Sequence, residues 1–215
     1  MAEQLWAVEE SAPPTGTDGR PLTERGARTR ERLLEAAESV FAALGYQDAS
    51  IVKITEAANA GQGTFYLYFE SKQQIFDELV MDLNRRVRRA MSEHADAATT
   101  HAERERLGFK GYFRFAADHP ALYRIIRQAE IVSPHILKEH YERISRGYIR
   151  GLNEAMAAGD IATADPEVLA WMLMGIGEII GMRWTLWGDT DEVPDEVFEQ
   201  MYAFISGGLG GREGR

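Results

Sequence analysis

Residues 50–72 read SIVKITEAANAGQGTFYLYFESK. Ser50 stands where an N-cap would, and Ile51, Ile54 and Ala58 of the following residues share one helical face. "NAG" then makes a three-residue turn. "QGTFYLYF" predicts a second helix of roughly two turns, in which Phe65 and Phe69, four apart, share a face while Thr64, Tyr66, Leu67 and Tyr68 spread over the rest. A helix this short at the end of a tight turn cannot bury every face in a small domain. The phenylalanines are therefore expected inside and the other four side chains outside. Tyrosine and threonine hydroxyls suit phosphate oxygens, and aromatic rings lie well against thymine methyls. Lys72, just past the helix, can reach a phosphate, and Ser50 offers a hydroxyl at a helix N-terminus for another. Helix, short turn, helix with such side chains is a DNA-reading arrangement.

Helical spacing recurs on both sides of this stretch, with no internal repeat and almost no β-branched alternation, so the fold class is all-α with about nine helices. Upstream, Leu33, Ala37, Val40, Phe41 and Leu44 form one stripe, and Gly45 supplies a stop. Downstream, Ile75, Leu79, Leu83, Val87 and Met91 mark a long helix. Further helices start at about Ala102, Pro120, Pro134, Pro166 and Pro194, with proline opening and glycine closing in the expected order.

With 45% hydrophobic residues among 215, a sizeable core is expected. The chain has no cysteine, which removes disulfides, thiolate metal sites and a cysteine nucleophile. Its N-terminal segment is acidic and rich in Pro, Gly and Thr where a signal peptide would be basic and then apolar, so a flexible leader on a cytoplasmic protein is expected. The most apolar stretch, Val168 to Trp187, is interrupted by Glu178 and Arg183 and predicts a buried or interface helix, not a membrane span. The net charge of -10 opposes non-specific binding to nucleic acid by the whole surface, yet residues 20–34 hold five Arg against two Glu. Arg25, Arg28, Arg30 and Arg32 sit where a basic arm would reach a DNA backbone or minor groove.

From Thr29 to Val80 the sequence resembles the N-terminal domain of the tetracycline-repressor (TetR) family of bacterial transcription regulators, on "AAESVFAALGY", the Ser50 to Ala58 helix and "GTFYLYFESK". The resemblance implies DNA contact by Gln62, Thr64, Tyr66, Leu67, Tyr68 and Lys72, with Ser50 and Lys53 on the supporting helix and Arg28 on the arm. Phe65 and Phe69 would be packing residues. Two departures stand out. The family's usual Gly-Val-Ser turn is Asn59-Ala60-Gly61 here, with Asn able to take the left-handed conformation, and Leu67 stands where family members often carry a polar or larger residue.

The resemblance also implies a division into a leader (1–22), a helix-turn-helix domain of three helices (23–72), a larger helical ligand-binding and dimerisation domain (73–208) and a frayed tail (209–215). The implied partners are a palindromic double-stranded operator, a second copy joined through the last two helices, and a small apolar or aromatic effector, an acyl thioester with an arginine on its negative charge being one candidate. For the dimer, Gly177 and Gly181 would let a partner helix approach, beside a stripe from Val197 to Ile205. For the effector, aromatic walls with a few fixed charges suit a pocket, and the candidate lining is Phe109, Tyr112, Phe113, Tyr123, Arg127, Trp171, Glu178 and Trp184. Repression relieved by the effector is the expected mode, and no cofactor is expected.

Two other classes are weighed against this. "HILKEH", with His135, Glu139 and His140, matches no zinc-enzyme spacing, and neither a phosphate loop nor a G-x-S-x-G elbow is present, so neither a metal site nor an enzyme is expected. The alternative is a dimeric all-helical adaptor without specific DNA binding.

Overall fold

The computed structural model describes residues 13–188 and 192–210; most of the expected leader and most of the expected tail lie outside them. Among the described residues there are nine α-helices: α1 (Glu24–Asp48), α2 (Ile51–Ala57), α3 (Gln62–Phe65), α4 (Lys72–Ala95), α5 (His101–Asp118), α6 (Ala121–Val132), α7 (Pro134–Ala158), α8 (Pro166–Gly181) and α9 (Asp195–Gly208). A π-helical turn, Met182–Leu186, continues α8. None of these helices is long and apolar enough to cross a membrane.

The described residues divide into two compact units, 13–83 with Ala121–His140, and Asn84–Pro120 with 141–188 and 192–210. In the first unit, α6 and α2 both pack on α1. Three residues of the stripe expected on α1, Leu33, Ala37 and Phe41, have no exposed surface, nor have Ile54, Phe65, Phe69, Ile75 and Phe76, whereas Val40 is half-buried and Leu44, beside the bend at Gly45, is exposed. Phe41 and Phe76 meet edge to face at 5.2 Å, and Tyr46 closes the cluster at 5.1 Å from Phe76. Burying each such ring contributes roughly 1.5–3 kcal/mol.

Gly45 bends α1 rather than ending it. Its φ of 77° and ψ of 163° interrupt the helix, a conformation open in practice only to glycine. The bend leaves the Tyr46 N–H outside the helical ladder, and it donates instead to Gln128 Oε1 on α6 at 2.6 Å. The Gln128 amide in turn donates to the carbonyls of Arg124 (2.9 Å) and Phe41 (3.3 Å). A second polar link ties α4 to the start of α7: Gln73 donates to Asp77 at 2.9 Å and to Ser133, which donates to Asp77, while the Tyr46 hydroxyl donates to Gln73 at 2.9 Å.

In the second unit α5 packs on α8. A side chain at Gly177 would come within 2.9 Å of the Phe109 ring. Gly177 is thus the close-approach point for the chain's own α5, not for a partner helix. The buried rings of Phe109, Phe113, Tyr148 and Phe198 continue this core, with centroids 6.1 to 6.2 Å apart. The stripe on α9 is divided as well: Phe198, Met201 and Ile205 face inward, whereas Phe204 is 73% exposed.

Candidate nucleic-acid interface

The Ser50 hydroxyl accepts the Lys53 N–H at 3.2 Å, so the expected cap forms and α2 starts where the sequence places it. The turn after α2 carries Asn59 at φ 48°, the only non-glycine residue with positive φ among those described, which is the left-handed position expected of it. The Ala60 N–H donates to the Thr55 carbonyl at 2.9 Å and Gly61 becomes the N-cap of α3.

α3 is shorter than the two turns expected. Regular helix ends at Phe65, and irregular turns carry the chain to Phe69, with Tyr68 and Phe69 both donating to the Phe65 carbonyl at 2.9 and 3.0 Å. The cause lies in the next helix. The Ser71 hydroxyl accepts the Gln74 N–H at 3.1 Å, and Gln74 Oε1 accepts the Glu70 N–H at 2.6 Å, a reciprocal cap that withdraws Glu70 from any continuation of α3.

Within this short element the side chains divide as the spacing demands. Phe65 and Phe69 are fully buried, and between them Tyr66 is 50% and Leu67 60% exposed. Gln62 is exposed as well, while Thr64 and Tyr68 are half-buried. An exposed Leu beside an exposed Tyr is an apolar surface held out by buried neighbours.

The basic groups are disposed less simply. The Lys72 ammonium donates to the carbonyls of Tyr46 (2.7 Å) and Ala49 (2.9 Å) and lies 4.3 Å from the Tyr46 ring centroid. It closes the C-terminal end of α1, which leaves one of its three N–H groups for a phosphate. Lys53 donates to the Asp48 carbonyl at 2.9 Å from an exposed position. Arg28 is exposed and pairs with Glu24 at 2.6 Å, a contact that screening makes weak and easily exchanged. Arg30 is turned inward, paired with Glu78 and lying 5.1 Å from the Phe69 ring centroid; Arg25 and Arg32 are exposed.

The eight residues expected to line an effector pocket fall in both units. Tyr123, buried, and Arg127, exposed, belong to the first. In the second, Phe109 and Phe113 are core, Tyr112 and Trp184 are half-buried, and Trp171 is 44% exposed. Glu178 accepts the Tyr141 hydroxyl at 2.8 and 2.9 Å, and Tyr141 lies against Trp171 at 6.0 Å. A groove of 170 Å³ between α5 and α9, lined by Lys110, Phe113, Arg114 and Phe198 among others, shares only Phe113 with the expected set and is small for an organic effector.

One buried group escaped the sequence reading. Glu105 is nearly inaccessible, and burial pushes its carboxyl up to about 7. Burial, and then the Glu105 charge, also raise the phenols of Tyr148 and Tyr202, the latter to about 12. The signal was present: Glu105 lies four residues before Phe109 and eight before Phe113, on the stripe that α5 buries. Among the described residues no group of three or more His, Asp and Glu could hold a metal ion.

A short capped helix, a left-handed turn and a second helix with its middle residues held outward define a helix-turn-helix DNA-binding protein. Residues 33–79 match the family model of bacterial regulatory proteins of the tetR family. The chain is 29% identical over 182 residues to the uncharacterized HTH-type transcriptional regulator YdgC of Bacillus subtilis (strain 168), covering 79% of this chain and 88% of that one. It is 28% identical over 174 residues to the fatty acid metabolism regulator protein of the same organism, covering 77% and 87%. Its fold matches the crystal structure of the transcriptional regulator FadR from Bacillus subtilis in complex with stearoyl-CoA at a TM-score of 0.73, with 22% identity over 83% of this chain and 98% of that one. The chain is a DNA-binding transcriptional regulator whose residues 33–79 match the tetR-family model.

Proposed function

We propose that the chain is a homodimeric repressor that reads a palindromic operator with Gln62, Thr64, Tyr66, Leu67 and Tyr68 and leaves it when a small organic effector binds. The observation that carries the reading is the exposure of Tyr66 and Leu67 between two fully buried phenylalanines. In this reading the helix-turn-helix domain spans 23–72 and the effector and dimer functions lie in 73–208. Ser50, Lys53, Lys72 and Arg28 hold phosphates on either side, which adds affinity without sequence preference. The protein acts in the cytoplasm, without a cofactor and without catalysing a reaction.

A single element of this size reads few base pairs, so useful affinity needs two copies on half-sites about 34 Å apart or a multiple of it. The dimer surface is the outer face of α8 and α9. Val168, Met172 and Ile179 form an exposed stripe on α8 with Gly175 open between them, Trp171 stands beside it, and Phe204 on α9 is 73% exposed. Exposed apolar residues on both helices support an interface.

The effector is a large apolar molecule with a negative head, and a long-chain acyl-CoA is the class the fatty-acid regulators among the relatives support. In this reading the second unit contributes Phe109, Tyr112, Phe113, Trp171, Glu178 and Trp184 to its pocket. By binding better to a dimer whose reading helices are wrongly spaced, it shifts the population away from the DNA-bound form.

Selecting duplexes from a random pool and titrating the winner by gel shift tests this directly. A palindromic winner released by stearoyl-CoA is expected. A protein that selects no sequence is an adaptor, not a regulator.

A further inference from the structure

Residues 14–22, just before α1, are joined to the turn that follows α3. The chain from Pro14 to Leu22 closes on itself: Thr15 and Pro21 form an antiparallel bridge, the Leu22 N–H donates to the Pro14 carbonyl at 2.9 Å, and the Gly16 N–H donates to the Arg20 carbonyl at 2.9 Å. Thr17, in this loop, spans fifty residues of sequence. Its N–H donates to the Leu67 carbonyl at 3.1 Å, and its hydroxyl donates to the Tyr66 carbonyl at 3.0 Å and lies 3.4 Å from that of Leu67. Gly16 lies so close that a Cβ there would sit 3.2 Å from the Leu67 carbonyl oxygen.

These contacts fall where α3 has lost its own support. In a continuing helix the Tyr66 carbonyl would accept the Glu70 N–H, but that donor is taken by Gln74. The backbone of Tyr66 and Leu67 is therefore aimed by contacts from outside α3, and Thr17 supplies two of them. The side chains of the same two residues are the exposed ones.

We propose that Thr17 is a positioning residue for sequence reading: the Pro14–Pro21 loop clips the C-terminal end of α3 and sets where Tyr66 and Leu67 meet the base edges. The proposal rests on the regulator reading above. Thr17 itself touches no base. Its loss leaves phosphate contacts intact and blurs the base contacts, so operator affinity falls toward the non-specific level, which itself stays put. Both prolines limit the freedom of the unfolded loop and make the clip cheaper to close.

The test uses the full chain with Thr17→Pro, which removes both donors, Thr17→Val, which removes the hydroxyl, and Thr17→Ser, which keeps both. Two duplexes are compared: one selected from a random pool by the unaltered protein, and a scrambled one of equal length. Amide exchange at Tyr68 and Phe69 is followed without DNA. Thr17→Pro is expected to lower affinity for the selected duplex by about tenfold, to leave the scrambled duplex within about twofold, and to speed exchange at the two amides. Thr17→Val falls between, and Thr17→Ser retains the original ratio. Equal losses on both duplexes, an unaltered ratio in Thr17→Pro, or unchanged exchange would each overturn the clip while leaving the regulator reading intact. Failure of the unaltered protein to select any sequence overturns both.

Discussion

Phe65 and Phe69 lie with ring centroids 5.5 Å apart and without exposed surface. Together they pin the ends of a five-residue arc in which Tyr66 and Leu67 face outward and Tyr68 is half-buried. The buried pair is the mechanical basis of the reading turn, and its two kinds of residue separate by experiment.

Tyr66→Ala is expected to weaken binding to the selected duplex by about 1–3 kcal/mol. The melting temperature should stay within a degree or so, because a half-exposed ring adds little to folding. Gel shift and thermal denaturation of the same preparation check both.

Phe41→Ala acts on the other side of the ledger. The ring is fully buried between Tyr46 and Phe76, and its removal is expected to cost about 3–5 kcal/mol of stability. Urea denaturation reads the loss as a lower midpoint.

Gly45→Ala places a Cβ on a residue at φ 77° and ψ 163°. A destabilisation of about 1–3 kcal/mol is expected, relieved only if α1 straightens and the Tyr46 N–H leaves Gln128. An unchanged urea midpoint would show that the bend is not required.

Glu105 predicts a pH effect of defined sign. Its folded-state value of about 7 lies above its ordinary value of 4.5, so between these two the folded chain binds more protons than the unfolded one, and stability from this group falls as pH rises through the window. Glu105→Gln should therefore gain on the unaltered protein between pH 5 and pH 8, by up to about 3 kcal/mol. Urea titrations of both proteins at the two pH values measure the difference.

Ile179→Asp puts a charge in the exposed α8 stripe. If the proposed dimer forms through this face, sedimentation is expected to show Ile179→Asp as a monomer and the unaltered protein as a dimer, since an unpaired charge in an apolar interface costs several kcal/mol. A dimer that survives places the interface elsewhere.

Much of this was legible in the residues. The cap at Ser50, the left-handed Asn59 and the inward pair Phe65 and Phe69 all follow from spacing and side-chain chemistry within a turn or two of chain. The outward placement of Gln62, Tyr66 and Leu67 was readable for the same reason. Lys72 was not: its reach toward a phosphate is a local expectation, while its two carbonyl acceptors sit 23 and 26 residues away.

By itself, then, the sequence determined which segments are helical, where they begin and which faces are apolar, because those properties depend on neighbours three or four residues apart. Only the tertiary structure decided what each face meets. Gly177 fits Phe109 of its own chain, Ser71 and Gln74 cut α3 short, and Thr17 holds a turn fifty residues downstream. A periodic stripe records that a surface leaves water, since burial is non-directional, and carries no record of the partner that covers it.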